Sequence, residues 1–82
     1  MYMNCVMIRL SSIQDVRTFV DTVTKYNMDI DLSSGRYVVD AKSIMGIFSL
    51  DLLSPIKLCA QTDKEEDYQD LLDDLKAFIV NE

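Results

Sequence analysis

Three sets of residues in this 82-residue chain have the type and spacing to do chemistry. The first is Ser43, inside the run Asp-Ala-Lys-Ser-Ile-Met-Gly-Ile-Phe-Ser-Leu from Asp40 to Leu50. It follows a strand-like stretch, Arg36 to Asp40, and precedes apolar residues at 44, 45, 47, 48 and 50, so it is placed to cap a short helix by accepting a backbone N–H. Phosphorylated, the same hydroxyl would carry about two negative charges where a helix's first N–H groups and dipole favour an anion. The second set is the carboxylate pair Asp29 and Asp31. Such a pair could serve a metal or an acid–base site, but on one solvent face of a strand it is read as solubilising. The third is Cys5 and Cys59, which have neither CxxC spacing nor a histidine companion. With no His in the chain, zinc would need two thiolates and carboxylates, so both are expected to be small strand residues kept reduced, with no metal and no cofactor.

The elements that position these residues follow from periodicity. Met1 to Leu10 alternates as a strand, with Val6 and Ile8 on one face and Met3, Cys5 and Met7 on the other; both faces are apolar, so its inward side stays open. Ser11 to Gln14 has the spacing of a capping box, and Ile13, Val16, Phe19, Val20 and Val23 form a helical stripe running to about Tyr26. Asn27 to Leu32 is expected to be a half-buried strand, with Ser33-Ser34-Gly35 turning into Arg36 to Asp40 to make a hairpin. In the short helix after Ser43, Ile47 and Leu50 face the core, while Ile44, Met45 and Phe48 cluster on a partly different face. Large apolar side chains left exposed beside a modifiable serine make a docking surface. Asp51 to Pro55 is a loop, and Ile56 to Gln61 alternates as a fourth strand. Thr62 to Glu65 is a second capping box, opening a helix whose stripe is Tyr68, Leu71, Leu72, Leu75, Phe78 and Ile79. The order β-α-β-β-α-β-α defines an α+β two-layer domain with the helices on one face of an antiparallel sheet.

Bulk properties narrow the function. A chain of this length is one domain, 1–82, able to bury roughly 60 to 65 per cent of its unfolded surface. A net charge of -6 with scattered Lys and Arg argues against nucleic acid. No apolar run approaches the length of a membrane span, and the first ten residues are too polar for a signal peptide, so a cytoplasmic protein with no membrane partner is expected. Without a His or a glycine-rich phosphate loop, and with isolated Ser and Asp residues that nothing activates, it is not read as an enzyme.

The segment Lys-Ser-Ile-Met-Gly at 42 to 46, continued by Ile47, Phe48, Ser49 and Leu50, resembles the regulatory serine motif of HPr, the histidine-containing phosphocarrier of the bacterial sugar phosphotransferase system. The resemblance extends through Lys25-Tyr26, Asp29-Ile30-Asp31-Leu32 and Val39-Asp40-Ala41. It implies an HPr-like open-faced sandwich, a four-stranded antiparallel sheet in order 1-4-2-3 with three helices on one face. In that family the first helix opens with Gly-Ile-His-Ala-Arg-Pro-Ala, and the histidine passes a phosphoryl group from enzyme I to the sugar permeases. Aligned without gaps, Ser12 stands at the histidine, Gln14 at the arginine and Asp15 at the proline. A serine phosphate ester is too stable to pass on, and Gln14 with Asp15 removes positive charge from the site.

The chain is therefore similar to the catabolite-repression HPr homologues, which lack the histidine and keep the serine. The resemblance implies that Ser43 is the phosphosite and that Ile44, Met45 and Phe48 are the contact surface. The partners implied are an HPr kinase-like enzyme and a transcriptional regulator or phosphotransferase-system protein. The alternative reading is a degenerate HPr-fold interaction module that is never phosphorylated.

Overall fold

Alternation along the strands and three-or-four-residue spacing along the helices put one apolar face on each element, and those faces meet in a single layer. The computed structural model describes the backbone of residues 2–80, with side chains from residue 4 onward. In chain order the elements are β1 (Tyr2–Ile8), α1 (Ile13–Val23), β2 (Asp29–Ser34), β3 (Tyr37–Asp40), α2 (Ile44–Phe48), β4 (Ile56–Thr62) and α3 (Glu65–Asp74), followed by a 3-10 turn at Lys76–Phe78. The strands form one antiparallel sheet in the order β1-β4-β2-β3, as the resemblance implied. Met1 and the face assigned to Met3 lie outside the described residues.

The open choice in β1 is settled by its partner. Ile8 pairs with Ile56 and Val6 with Leu58, so Val6 and Ile8 turn towards the helices, and Cys5 and Met7 face solvent. Ile30 and Leu32 of β2 and Ile56, Leu58 and Ala60 of β4 line the same inner face. Val16, Phe19 and Val23 of α1, Ile47 of α2, and Tyr68 and Leu71 of α3 cover it. Phe19 meets Phe78 edge-on, with ring centroids 6.3 Å apart. Each fully buried side chain of this size contributes about 1.5–3 kcal/mol of transfer free energy. The opposite face of the sheet has no helix over it.

Several boundaries move from their expected places. The cap of α1 is Ser12, not Ser11: Asp15 N–H donates to Ser12 Oγ (3.1 Å), and Ser11 N–H donates back to the Asp15 carboxylate (3.0 Å). Asp15 thus takes the place assigned to Gln14 in the box. The helix stops at Val23, and Ile13, expected on the buried stripe, is the first helical residue and is 65% exposed. Ser33 and Ser34 belong to β2, paired with Val38 and Tyr37, so the hairpin turns on Gly35 and Arg36 alone. Gly35 takes φ +59°, a conformation that costs a residue with a Cβ. Thr62 is the last residue of β4 and does not cap α3; its hydroxyl accepts from Lys64 N–H (3.1 Å), and the helix begins at Glu65 with no side-chain cap. Acidic Glu65, Glu66 and Asp67 still complement the dipole of its first turn. The stripe assigned to α3 outlasts the helix: Phe78 lies in the 3-10 turn, and Ile79 bridges to Ile8 beside hydrogen bonds from Arg9 N–H to Phe78 O and Val80 N–H to Met7 O.

Candidate functional site: the start of α2

The backbone leaving β3 is fixed before α2 begins. Ala41 is fully buried, and its N–H donates to Ile30 O (2.9 Å) on β2. The Asp40 carboxylate accepts from Lys42 N–H (2.9 Å) and the Asp40 carbonyl from Ser43 N–H (3.0 Å), which closes a turn. Ser43 then sits in extended backbone as the N-cap. Its Oγ accepts from Gly46 N–H at 3.1 Å, and its carbonyl accepts from Ile47 N–H at 3.0 Å. No acidic residue lies in this first turn. Ile47 is fully buried and Leu50 nearly so, and together they pin five helical residues to the core.

The other side of α2 faces outward. Ser43 is exposed, Met45 is 76% exposed and Phe48 is 41% exposed. Ile44, expected on the same surface, is half-buried and packs against the core, so the outward apolar patch is carried by Met45 and Phe48. The structure therefore brings Ser43, Met45 and Phe48 together on one short helix. Ser12 and Gln14 lie at the start of α1, both exposed, and Gln14 donates to Thr18 Oγ1 one turn along its own helix.

Three features without a signal in the sequence hold α2 in place. Lys42 Nζ donates to Tyr26 O (2.7 Å), tying the approach to α2 to the turn after α1. Tyr26 donates its hydroxyl to the Asp74 carboxylate of α3; burial first, then that hydrogen bond and the charges of Asp74, Asp70 and Asp73, push its phenol up to about 12. Gly46 is the third. A Cβ there would lie 3.1 Å from Ser43 Oγ and 3.2 Å from Val39 Cβ, so the glycine permits the close approach of helix, cap and β3.

The remaining chemistry-bearing residues resolve simply. Asp29 and Asp31 lie on the outer face of β2, and no cluster of His, Cys, Asp and Glu able to hold a metal occurs among the described residues. Cys5 and Cys59, expected to be separate reduced residues, are joined as a disulfide. The pairing is a matter of register: Cys5 of β1 stands directly opposite Cys59 of β4. No helix of the described residues is long and apolar enough to cross a membrane.

A four-stranded antiparallel sheet in the order 1-4-2-3, open on one face, with helices on the other and a short helix capped by Ser43, defines a small α+β open-faced sandwich. A family model described as the PTS HPr component phosphorylation site matches residues 15–81. The crystal structure of HPr-C-His from Thermoanaerobacter tengcongensis is 32% identical over 94% of this chain and 93% of that one, with a TM-score of 0.70. The phosphocarrier protein HPr from Bacillus anthracis is 26% identical over 90% of this chain and 95% of its own (TM-score 0.65). Crh, the catabolite repression containing protein of Bacillus subtilis, is 25% identical over 90% and 88% (TM-score 0.63). No curated protein sequence matches the chain. The chain belongs to the HPr family of the phosphotransferase system, whose members are phosphocarriers and not enzymes. The family match begins after Ser12 and Gln14, the two positions aligned with the phosphocarrier histidine and arginine.

Proposed function

We propose that this chain is a cytoplasmic regulatory HPr of carbon catabolite control that takes no part in phosphohistidine relay and is switched by phosphorylation of Ser43. One observation carries the reading: an exposed serine hydroxyl opens α2 beside exposed Met45 and Phe48, in a sequence with no histidine. In the reaction Ser43 Oγ attacks the γ-phosphorus of ATP, its proton passes to a base on the kinase, and ADP leaves. The product adds about two negative charges at a helix start that holds no acid of its own, where the dipole and the Gly46 N–H favour them. Asp40 opposes this mildly, its carboxylate being occupied by Lys42 N–H. A partner, either a transcriptional regulator or a phosphotransferase-system protein, would read the phosphate and the Met45 and Phe48 surface together, with half-buried Ile44 at its margin. The likeness to Crh supports a regulatory role, and it is the lack of histidine in the sequence that argues against a carrier one.

The test is intact-mass spectrometry after incubation with ATP and an HPr kinase that is active on a control HPr. A gain of one phosphate that maps to Ser43, is lost in Ser43→Ala and is retained in Ser12→Ala is the expected result. No gain would overturn the phosphoswitch. In that case, loss of a pulled-down partner on changing Met45 and Phe48 to Ser, with the fold kept, would leave the unmodified interaction module.

A further inference from the structure

The face of the sheet that no helix covers carries the cystine. Cys5 and Cys59 are register partners with Cα atoms 4.1 Å apart, close to the spacing of directly opposed residues on an antiparallel ladder. Cys5 is exposed and Cys59 half-buried. Their neighbours on this face are Met7, Lys57, Gln61 and, across from Cys59, Asp31, a surface open to a small reagent.

Two features distinguish this bond from a staple on which the fold depends. First, neither cysteine belongs to the core cluster, which lies on the other face, so opening the bond removes no buried apolar contact. Second, β1 is held in other ways: by its ladder to β4 from Tyr2 to Ile8, by the buried Ile8, and by the hydrogen bonds that Arg9 and Met7 make with Phe78 and Val80. Opening the bond therefore leaves all of these contacts in place. What the dithiol form loses is the covalent tie between the edge strand and its neighbour, across 54 residues of chain. Disulfides in sites open to thiolates are the exchangeable ones.

We propose that Cys5–Cys59 is a reversible thiol–disulfide exchange site whose state sets how tightly edge strand β1 is held, with small-molecule thiols, dithiols and their disulfides as reactants. In the reducing direction an incoming thiolate attacks the exposed Cys5 Sγ. A mixed disulfide forms, the Cys5–Cys59 bond breaks, and Cys59 leaves as a thiolate that takes up a proton. A second thiol of the reductant displaces Cys5, which is protonated in turn, and the external disulfide departs. Two electrons and two protons pass from reductant to protein, and an external disulfide reverses the sequence. The site stands on the opposite face from the apolar core and does not depend on the reading of Ser43.

The experiment treats the folded oxidised protein with dithiothreitol in the absence of denaturant, blocks thiols with N-ethylmaleimide and weighs the product, with hydrogen–deuterium exchange run in parallel. Before reduction no adduct is expected; afterwards two are, with an unchanged far-UV circular dichroism spectrum. The amides of β1 should exchange at least about tenfold faster in the dithiol form, while those of β2 and β3 change little. Glutathione disulfide should restore the oxidised mass, and in Cys59→Ser it should add one glutathione to Cys5. Reduction that requires denaturant, loss of the fold on reduction, or unchanged β1 exchange would overturn the proposal. Should the single variant fail to fold, the wild-type measurements decide alone.

Discussion

Helices α1 and α2 both begin on an exposed serine that caps the third helical N–H, yet the two starts are electrically opposite. At α1 the first turn contains Asp15, which receives a hydrogen bond from Ser11 and places its own carboxylate where an incoming anion would have to sit. At α2 the first turn holds no acid, and the nearest carboxylate, Asp40, is tied to the preceding turn. The anchoring differs as well. Three fully buried residues hold the eleven-residue α1, whereas Ile47 is the one buried residue within the five of α2. A serine cap is thus compatible with two outcomes, a helix start closed by its own side chains and one left open. The residue three positions on decides between them: Asp15 in one case, Gly46 in the other.

That contrast can be tested, from the larger effect to the smaller. Because α2 has a single buried residue, Ile47→Ala should cost about 2–5 kcal/mol in urea unfolding and should also deprotect the Gly46 amide in hydrogen exchange. Full protection at Gly46 would mean that α2 is held by its surroundings and not by Ile47. Ser43→Ala should cost about 1 kcal/mol, the same as Ser12→Ala, since each removes one cap bond of 3.1 Å. A Ser43 variant as stable as the parent would show that its hydroxyl serves something other than capping. The smallest effect concerns Tyr26, which links the end of α1 to α3. In the folded state its phenol is pushed up to about 12 from the ordinary tyrosine value of 10.0, so its contribution is complete below pH 10 and is lost as pH rises towards 12. Tyr26→Phe should flatten the fall in stability over that window, and an unchanged slope would remove Tyr26 from the account.

The sheet order followed from the resemblance to the HPr family and not from periodicity, whereas helix faces and the inner and outer sides of β2 and β4 were legible because burial acts on whole faces, and a face repeats along the sequence. The candidate site was legible for the same reason: Ser43 precedes a stripe that Ile47 and Leu50 fill, and Met45 and Phe48 fall off it. Helix caps were harder to place. The doublet Ser11-Ser12 offers two caps, and only the reach of Asp15 back to Ser11 N–H selects the second. Thr62 matches a cap in sequence but is already claimed by the ladder with Tyr2. The cystine was missed because its register joins strands 54 residues apart, and an argument from a reducing compartment took the place of geometry. Ile44, on the flank of a five-residue helix, is half-buried against the core, a degree of burial that spacing alone does not specify.

The contact of Gly46 with Ser43 and Val39 bears on how the motif at 42 to 46 records its history. Selection for foldedness alone would preserve Gly46 for lack of room, Lys42 for its bond to Tyr26 O and Ser43 for its cap, but it has no hold on Met45, which touches mostly water. Within these five letters Met45 is therefore the residue that packing leaves unaccounted for, and on the proposed reading it and the phosphorylated Ser43 hydroxyl are what a partner would meet.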